Sequence, residues 1–439
     1  MDPFQHLPCE LGLEILESAH SPKDAARLSH ASPTLLRVRL AHRSTIDTHI
    51  LQKRLRGIYT PDFLQDAMAV IRFPPRETDS VRTRWKHVKK HKRCWAAKRF
   101  PNPIDEQDLG TMKQLYKLYK QLRRYINDYL SKATSPNLHR AYFRLPLWSS
   151  IERSKCDYLP LPPGRQLDLE SLPAMEKHRF LKAFLRFELN SRLYTAKIWE
   201  ESDSILAATG KRPRDIGLSC LWSWKRLNNM EGTIPSPVEK ESMRCVFEYV
   251  ACLYGMLGAR ALKHDNPNRS VRGGATRPAI LGDHNVSFSA RTFLGGHCQV
   301  GTLVFGGFDQ LDQLLTRDIY AVERFILPKT PSSIGFWPFE SDCVDMDLDI
   351  YLEEDGILEG PGLWARLSME KENDLGHADF SNCQHVISIL KREVARSYRQ
   401  RAWAFFDDER WYPDPCVFPT LVTLSQALNG QWWSFTTYH

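Results

Sequence analysis

The residues best suited to chemistry in this chain of 439 residues are acidic side chains at alternate positions late in the sequence. In a β-strand, the carboxylates of Asp345, Asp347 and Asp349 would share one face. Such a face could hold a hard cation, but an EF-hand loop counted from Asp345 needs glycine at position six, where Ile350 stands. We therefore expect a solvated acidic edge, and an enzyme that uses residues 345–354 ranks well below other functions.

Motifs for metal binding, phosphate binding and nucleophilic catalysis are missing from the sequence. It has no Cys-x-x-Cys pair, no His-Glu-x-x-His and no Gly-x-Ser-x-Gly. Cys383 and His385 form an isolated pair that is more typical of packing than of a metal site. The doublets at 295–296 and 306–307 lack the third glycine or the lysine of a phosphate-binding loop. The sequence thus predicts a protein that is not an enzyme and has no catalytic residue, metal ion or cofactor.

Composition indicates a folded intracellular protein. Hydrophobic residues make up 42% of the chain and include 12 Trp, which is enough for a substantial core. The ten Cys show no disulfide-like spacing, and this favours a reducing compartment. No signal peptide is recognisable, and the longest apolar stretch, 246–257, is too short to cross a bilayer. We expect a nuclear or cytoplasmic location and no membrane association.

Positive charge is concentrated in residues 37–160, which hold 27 Lys and Arg against 11 Asp and Glu. The densest part, 82–99, contains a short basic cluster that fits a nuclear-import signal or a polyanion-binding site: Lys89, Lys90, Lys92 and Arg93. The cations surround Trp85 and Trp95, which could stack on bases of a nucleic acid. The plainer interpretation is a cationic helix with Trp85, Val88 and Trp95 along one apolar edge and a solvated basic face.

Apolar periodicity predicts a mainly α-helical fold. Stripes at three- and four-residue spacing run through 105–132, 174–196 and 238–262, and Thr60-Pro61 should start a helix that ends at Ile71. Residues 279–365 are richer in Gly, Pro and short β-branched runs such as 300–305. A few short strands or irregular segments are expected there.

Two segments interrupt the helical pattern. Residues 159–173 contain several Pro and Gly and predict a linker, and residues 264–278 predict a mobile surface loop. No repeat of fixed period is present, which excludes propeller and leucine-rich-repeat domains. Trp403, Trp432 and Trp433 suggest that the C-terminus returns to the core.

The N-terminal residues carry three closely spaced helix starts. Pro8 suits the first position of one helix, and Ser21-Pro22 and Ser32-Pro33 each pair a capping hydroxyl with a first-turn proline. Leu11, Ile15 and Leu16 share one face of the first helix. Three helices in about 37 residues cannot bury enough surface alone and usually need a partner.

This run resembles an F-box, the helical module that docks a protein onto the Skp adaptor of cullin–RING ubiquitin ligases. Leu7, Pro8, Glu10, Ile15 and Leu16 fall at the F-box spacing. The Ala-Ser-Pro-x-Leu ending is similar to F-box-like segments of filamentous-fungal proteins. The resemblance implies an adaptor-binding surface made by Leu7, Pro8, Leu11, Ile15, Leu16, Leu28 and Leu35.

These observations predict an F-box-like motif in residues 1–45 and a large repeat-free helical domain in 46–439 that folds as one unit without the motif. By resemblance, the chain would be a non-enzymatic substrate-receptor subunit of an SCF-type ubiquitin ligase. Its partners would be the Skp adaptor, the cullin ligase core and a protein substrate that the sequence does not identify. The alternative is a helical nuclear protein that binds nucleic acid through residues 82–99.

Overall fold

A computed structural model describes residues 2–74, 81–136, 138–153, 167–193, 237–265, 303–304, 306–326, 396 and 398–406. The prediction of a mainly α fold is confirmed, because 77% of the described residues are helical. These residues include no strand. None of their helices is long and apolar enough to span a membrane.

Twelve α-helices lie in the described part of the chain. In chain order they are α1 (Cys9–Glu17), α2 (Pro22–His30), α3 (Pro33–Ile58), α4 (Pro61–Ile71), α5 (Val81–Ala96), α6 (Leu109–Ala133), α7 (Leu138–Tyr142), α8 (Ser150–Arg153), α9 (Ala174–Leu193), α10 (Pro237–Asp265), α11 (Gly307–Thr316) and α12 (Ile319–Ile326). The helices predicted at 61–71, 105–132, 174–196 and 238–262 correspond to α4, α6, α9 and α10.

The chain divides into two compact units. Unit 1 contains the residues up to Arg124, and unit 2 contains the described residues from Tyr125 onward. The first part of α6 belongs to unit 1 and its last turns belong to unit 2. The predicted boundary between residues 45 and 46 lies within unit 1.

Unit 1 begins with α1, α2 and α3, which pack around one small core. Helix α3 bends at His42 (φ −119°, ψ 23°) and continues to Ile58. Ile46 and Ile50, which follow the bend, are buried in the same cluster as Leu16 and Leu35. The boundary expected after residue 45 therefore falls inside a helix whose two halves share one core.

The rest of unit 1 is built on α4. Tyr59, which ends α3, stacks on Phe63 of α4 with 4.8 Å between ring centroids, and its hydroxyl donates to the carbonyl of Leu115 on α6. Val88 and Trp95 of α5 are buried, as the sequence predicted for the apolar edge of that helix. The side chain of Trp85 lies outside the described residues.

Unit 2 is centred on α10, whose side chains from Glu241 to Tyr254 are almost all buried. Tyr129 of α6 lies 4.8 Å from Tyr249 of α10, centroid to centroid. Phe405, in a 3-10 turn at 403–405, stacks on Phe180 of α9 at 4.0 Å. The segment around Trp403 therefore lies in the core, as predicted, whereas Trp432 and Trp433 fall outside the described residues.

Charged groups are also buried in unit 2. Arg399 donates to Glu241 of α10 at 2.8 Å, and Arg244 lies 3.3 Å from the same carboxylate. The side chain of Arg401 is fully buried and donates to the carbonyls of Ala133 and Ser135. These contacts anchor residues 399–401 to α10 and to the end of α6.

Three expectations about irregular segments change. Residues 303–304 and 306–326 are helical except at short turns, so the strands expected in this region do not occur there. Leu167, Leu169 and Leu172, near the end of the expected linker 159–173, are buried, and the N–H of Leu169 donates to Asn127 of α6. The expected loop 264–278 begins within α10, which extends to Asp265; residues 266–278 lie outside the described part.

Candidate docking surface of the N-terminal hook

Residues 2–58, which we call the hook, contain α1, α2 and α3. Their starts are set by local caps: Ser21 accepts a hydrogen bond from the N–H of Asp24 at 3.2 Å, and Ser32 accepts one from the N–H of Leu35 at 3.1 Å. Both caps are followed by Pro22 or Pro33, as predicted. We expected Pro8 to be the first residue of α1, but α1 begins at Cys9 and Pro8 is its N-cap.

A second cap of α3 comes from the start of the chain. The carboxylate of Asp2 accepts hydrogen bonds from the Ser32 hydroxyl at 2.9 Å and from the N–H of Thr34 at 3.0 Å. Burial acts to raise the pKa of Asp2, but these bonds and one from the N–H of Phe4 outweigh it and lower the pKa. Sequence reasoning missed this contact, because nothing local links residue 2 to residue 32.

Two of the seven predicted adaptor-binding residues support the hook from inside. Leu16 and Leu35 are fully buried with Val38, Ile46 and Ile50 in its core. Both side chains are covered in the hook as it stands, and their contact with an adaptor stays a prediction. The physical reason for their burial is that α3 lies directly over α1, which places these side chains between the two helices.

Glycine allows that close approach. A Cβ atom at Gly12 of α1 would lie 3.3 Å from Cγ2 of Val38 and 3.6 Å from Cδ2 of Leu35 on α3. The C-terminal end of α1 is fixed by polar contacts: Glu17 lies 2.5 Å from Nδ1 of His49, and Arg54 donates to the carbonyl of His20 at 2.8 Å. The hook is thus held along the full length of α3.

The exposed apolar edge of the hook lies on α1. Pro8, Leu11 and Ile15, three and four residues apart, follow one side of the helix and form what we call the α1 strip. Pro8 is exposed, Leu11 is 44% exposed, and Ile15 is half-buried and packs partly against the hook core. Leu7 and Leu28, the other two predicted residues, are also half-buried. Five of the seven residues are therefore accessible in whole or in part.

The basic segment lies on α5. Two of its four predicted cations are exposed, whereas the ring of Trp95 is buried. Lys90 and Arg93 face solvent and Lys92 is half-buried, whereas the side chain of Lys89 is outside the described residues. The indole N–H of Trp95 donates to the buried carboxylate of Asp66 at 2.8 Å, so this ring cannot stack on a base. No local pattern predicts this pairing of residues 29 positions apart.

Helix α4 also contacts a histidine of α5. His91 is buried and donates through Nε2 to the carbonyl of Ala69 at 2.8 Å. Burial lowers its pKa, although the hydrogen bond opposes that shift. A neutral imidazole at this position packs α5 onto α4 without adding to the positive charge of the segment.

The described part of the chain offers little support for a metal-ion site or a phosphate site. It contains no group of three His, Cys, Asp or Glu placed to hold a metal ion. The acidic residues from 345 to 354 and the pair Cys383 and His385 lie outside that part. At the Gly306-Gly307 doublet, the first turn of α11 is occupied by the carboxylate of Glu188 and not by open space for a phosphate.

Comparison of the sequence and the fold with protein-family models, curated proteins and solved structures gives no match.

Proposed function

We propose that the hook docks the Skp adaptor of a cullin–RING ubiquitin ligase, and that the chain serves as a non-enzymatic substrate receptor. The observation that carries the proposal is the α1 strip, in which the apolar residues of an F-box-like sequence lie at the surface of a module with its own closed core. An apolar edge that is displayed by a rigid support is what a docking contact requires.

The chemistry of such a receptor is proximity. A substrate held near the charged ubiquitin-conjugating enzyme reaches a high effective concentration, so the receptor needs no catalytic group of its own. This mode of action fits a chain whose sequence has no recognisable catalytic motif. The proposed partners are the adaptor, the cullin ligase core and a protein substrate, and the proposed location is the nucleus or the cytoplasm.

Co-purification with the Skp adaptor tests the proposal. The tagged full-length chain is expected to retain the adaptor, and Leu11→Glu is expected to weaken retention more than tenfold, because it places a charge in a contact that excludes water. Leu11 is partly exposed, so this variant should fold.

The matched control is Leu147→Glu, the same change at an exposed leucine in unit 2. It should retain the adaptor as well as the unmodified chain does. If the unmodified chain retains no adaptor, or if Leu11→Glu retains it fully while folded, the docking proposal is wrong.

A further inference from the structure

A continuous row of cations lies on the outer side of α6 in unit 1. Lys113, Lys117 and Lys120 are all exposed, and they recur at four and three residues, which places them on one face of the helix. We call this row the α6 stripe. At a rise of 1.5 Å per residue it extends over roughly 10 Å.

The part of α6 that lies in unit 1 and carries the stripe contains no negative charge. The sequence from 109 to 127 contains no Asp or Glu, and the first acid, Asp128, lies in unit 2. Lys113 and Lys117 have no ion-pair partner among the described residues. Lys120 lies over the ring of Tyr116, with Nζ 4.2 Å from the ring centroid, and this contact still leaves it exposed.

Tyr116, next to the stripe on α6, lies among other charged groups. Burial raises the pKa of this tyrosine, Arg54 of α3 and Arg123 of α6 act against that shift, and Asp24 adds to it. The cations therefore lie close to the ring, as does Asp24, which is already engaged by Ser21 and lies 3.6 Å from Arg27. The inner side of α6, with Met112, Leu115 and Leu122, is buried, so the lysines cannot turn inward.

We propose that the α6 stripe holds an acidic segment, rich in Asp and Glu, of a protein partner. Charge complementarity selects the chemistry of the partner. Alternate side chains of an extended peptide lie roughly 6.6 Å apart on one side, close to the roughly 6 Å between lysines four residues apart on a helix. That this partner is a substrate for ubiquitination rests on the proposed function, whereas its binding to the α6 stripe does not.

A peptide fits the surroundings better than a nucleic acid does. No aromatic side chain is exposed among the described side chains of unit 1, and the indole of Trp95 is bound to Asp66, so these described rings present no open face on which single-stranded bases could stack. Nucleic-acid binding is accordingly the competing outcome of the test.

The test measures fluorescence anisotropy of a labelled peptide of alternating Glu and Ser, titrated with the full-length chain at moderate salt. The stripe variant combines Lys113→Gln, Lys117→Gln and Lys120→Gln. The control variant combines Arg37→Gln, Arg43→Gln and Lys90→Gln, which removes the same charge at exposed positions of unit 1 outside the stripe. Oligothymidylate of equal charge is the competing probe, and near-ultraviolet circular dichroism verifies folding.

Binding of the acidic peptide should weaken about tenfold in the stripe variant, because three exposed pairs with carboxylates are lost, and by less than about twofold in the control. Equal affinity of the stripe variant and the unmodified chain would overturn the inference. So would tenfold tighter binding of oligothymidylate, which would identify a nucleic-acid surface.

Adaptor retention by the same stripe variant separates this inference from the proposed function. Retention should be unchanged, and its loss would mean that the stripe belongs to the docking contact, which contradicts an independent partner site. Failure of the unmodified chain to retain the adaptor, with peptide binding intact, would remove the proposed function and leave the stripe as an acidic-peptide site.

Discussion

The carboxylate of Glu188 on α9 accepts a hydrogen bond of 2.7 Å from the backbone N–H of Phe308, in the first turn of α11. Its other oxygen accepts a bond of 2.9 Å from Arg192. Gly307 has φ of 70°, and a Cβ atom there would lie 2.6 Å from the carboxylate, so both backbone and space require glycine. An internal carboxylate thus occupies a helix N-terminus, where the helix dipole favours negative charge.

This carboxylate should make stability depend on pH. Burial raises the pKa of Glu188 from 4.5 to about 7, because the attraction of Arg192 only partly offsets it. A raised pKa means that the contribution of the group to stability is complete below pH 4.5 and is lost as the pH rises through about 7. The loss amounts to roughly 3 kcal/mol. The Glu188→Gln variant has no titratable group at this position, so it should not show this loss of stability.

Urea unfolding near pH 4.5 and near pH 8 measures this effect. The free energy of unfolding of Glu188→Gln, minus that of the unmodified chain, should be larger near pH 8 than near pH 4.5. Glu170→Gln, the same change at an exposed position, should show nearly the same difference from the unmodified chain at both. An identical pH profile for Glu188→Gln and the unmodified chain would contradict the prediction.

Two leucines of α1 should respond differently to truncation. Leu16→Ala removes a fully buried side chain from the hook core and should lower the free energy of unfolding by about 2–5 kcal/mol. Leu11→Ala, at the α1 strip, should change it by less than about 0.5 kcal/mol. Chemical denaturation of both variants compares them, and equal losses would mean that Leu11 is also a core residue.

Removal of residues 2–45 should destabilise unit 1. Ile46 and Ile50 would lose their packing against Leu16 and Leu35, and each exposed side chain costs about 1.5–3 kcal/mol. Hydrogen exchange of α4 and α6 in the truncated and full-length chains gives the measurement. Unchanged protection in these helices would restore residue 45 as a true domain boundary.

The buried ion pair of Glu241 and Arg399 should be costly to break. Arg399→Met leaves the Glu241 carboxylate with Arg244 alone and should cost about 3–5 kcal/mol. Adding Glu241→Gln to Arg399→Met should cost less than the sum of the two single changes, because the contact between Glu241 and Arg399 is already lost in Arg399→Met. A double-mutant cycle on thermal or urea unfolding measures the coupling, and additive losses would show that the two side chains act independently.

The basic cluster of α5 carries a prediction about location. If Lys89, Lys90, Lys92 and Arg93 form an import signal, changing all four to Ala should move a bulky fluorescent fusion from the nucleus to the cytoplasm. The exposure of Lys90 and Arg93 makes two of these cations available to a receptor. A fusion of the unmodified chain that never enters the nucleus would refute the signal.

Local signals in the sequence were sufficient for the helix starts and for the amphipathic helices. Ser21-Pro22, Ser32-Pro33 and Thr60-Pro61 begin α2, α3 and α4 as predicted. A first-turn proline acts at all three starts, and the hydroxyls of Ser21 and Ser32 also cap their helices, whereas Thr60 makes no side-chain cap. The apolar stripes of α6, α9 and α10 were readable for the same reason, since one face of a helix is encoded every three or four residues.

Only the tertiary structure decided which apolar residues are buried and how far the hook extends. Leu11 and Leu16 share an apolar pattern on α1, but α3 covers only Leu16. Helix α3 passes its bend at His42 because burial of Ile46 and Ile50 in the hook core stabilises the continuation. Neither result follows from local propensity, because each depends on a neighbour that folding brings near.

The long-range polar pairs could not be predicted from the sequence either. Asp2 caps α3 across 30 residues, and Glu188 meets Phe308 across 120. Any acidic residue can accept a hydrogen bond, so composition does not identify its donor. The identity of the partner is fixed only when packing removes both groups from water and leaves each with the other as its hydrogen-bond partner.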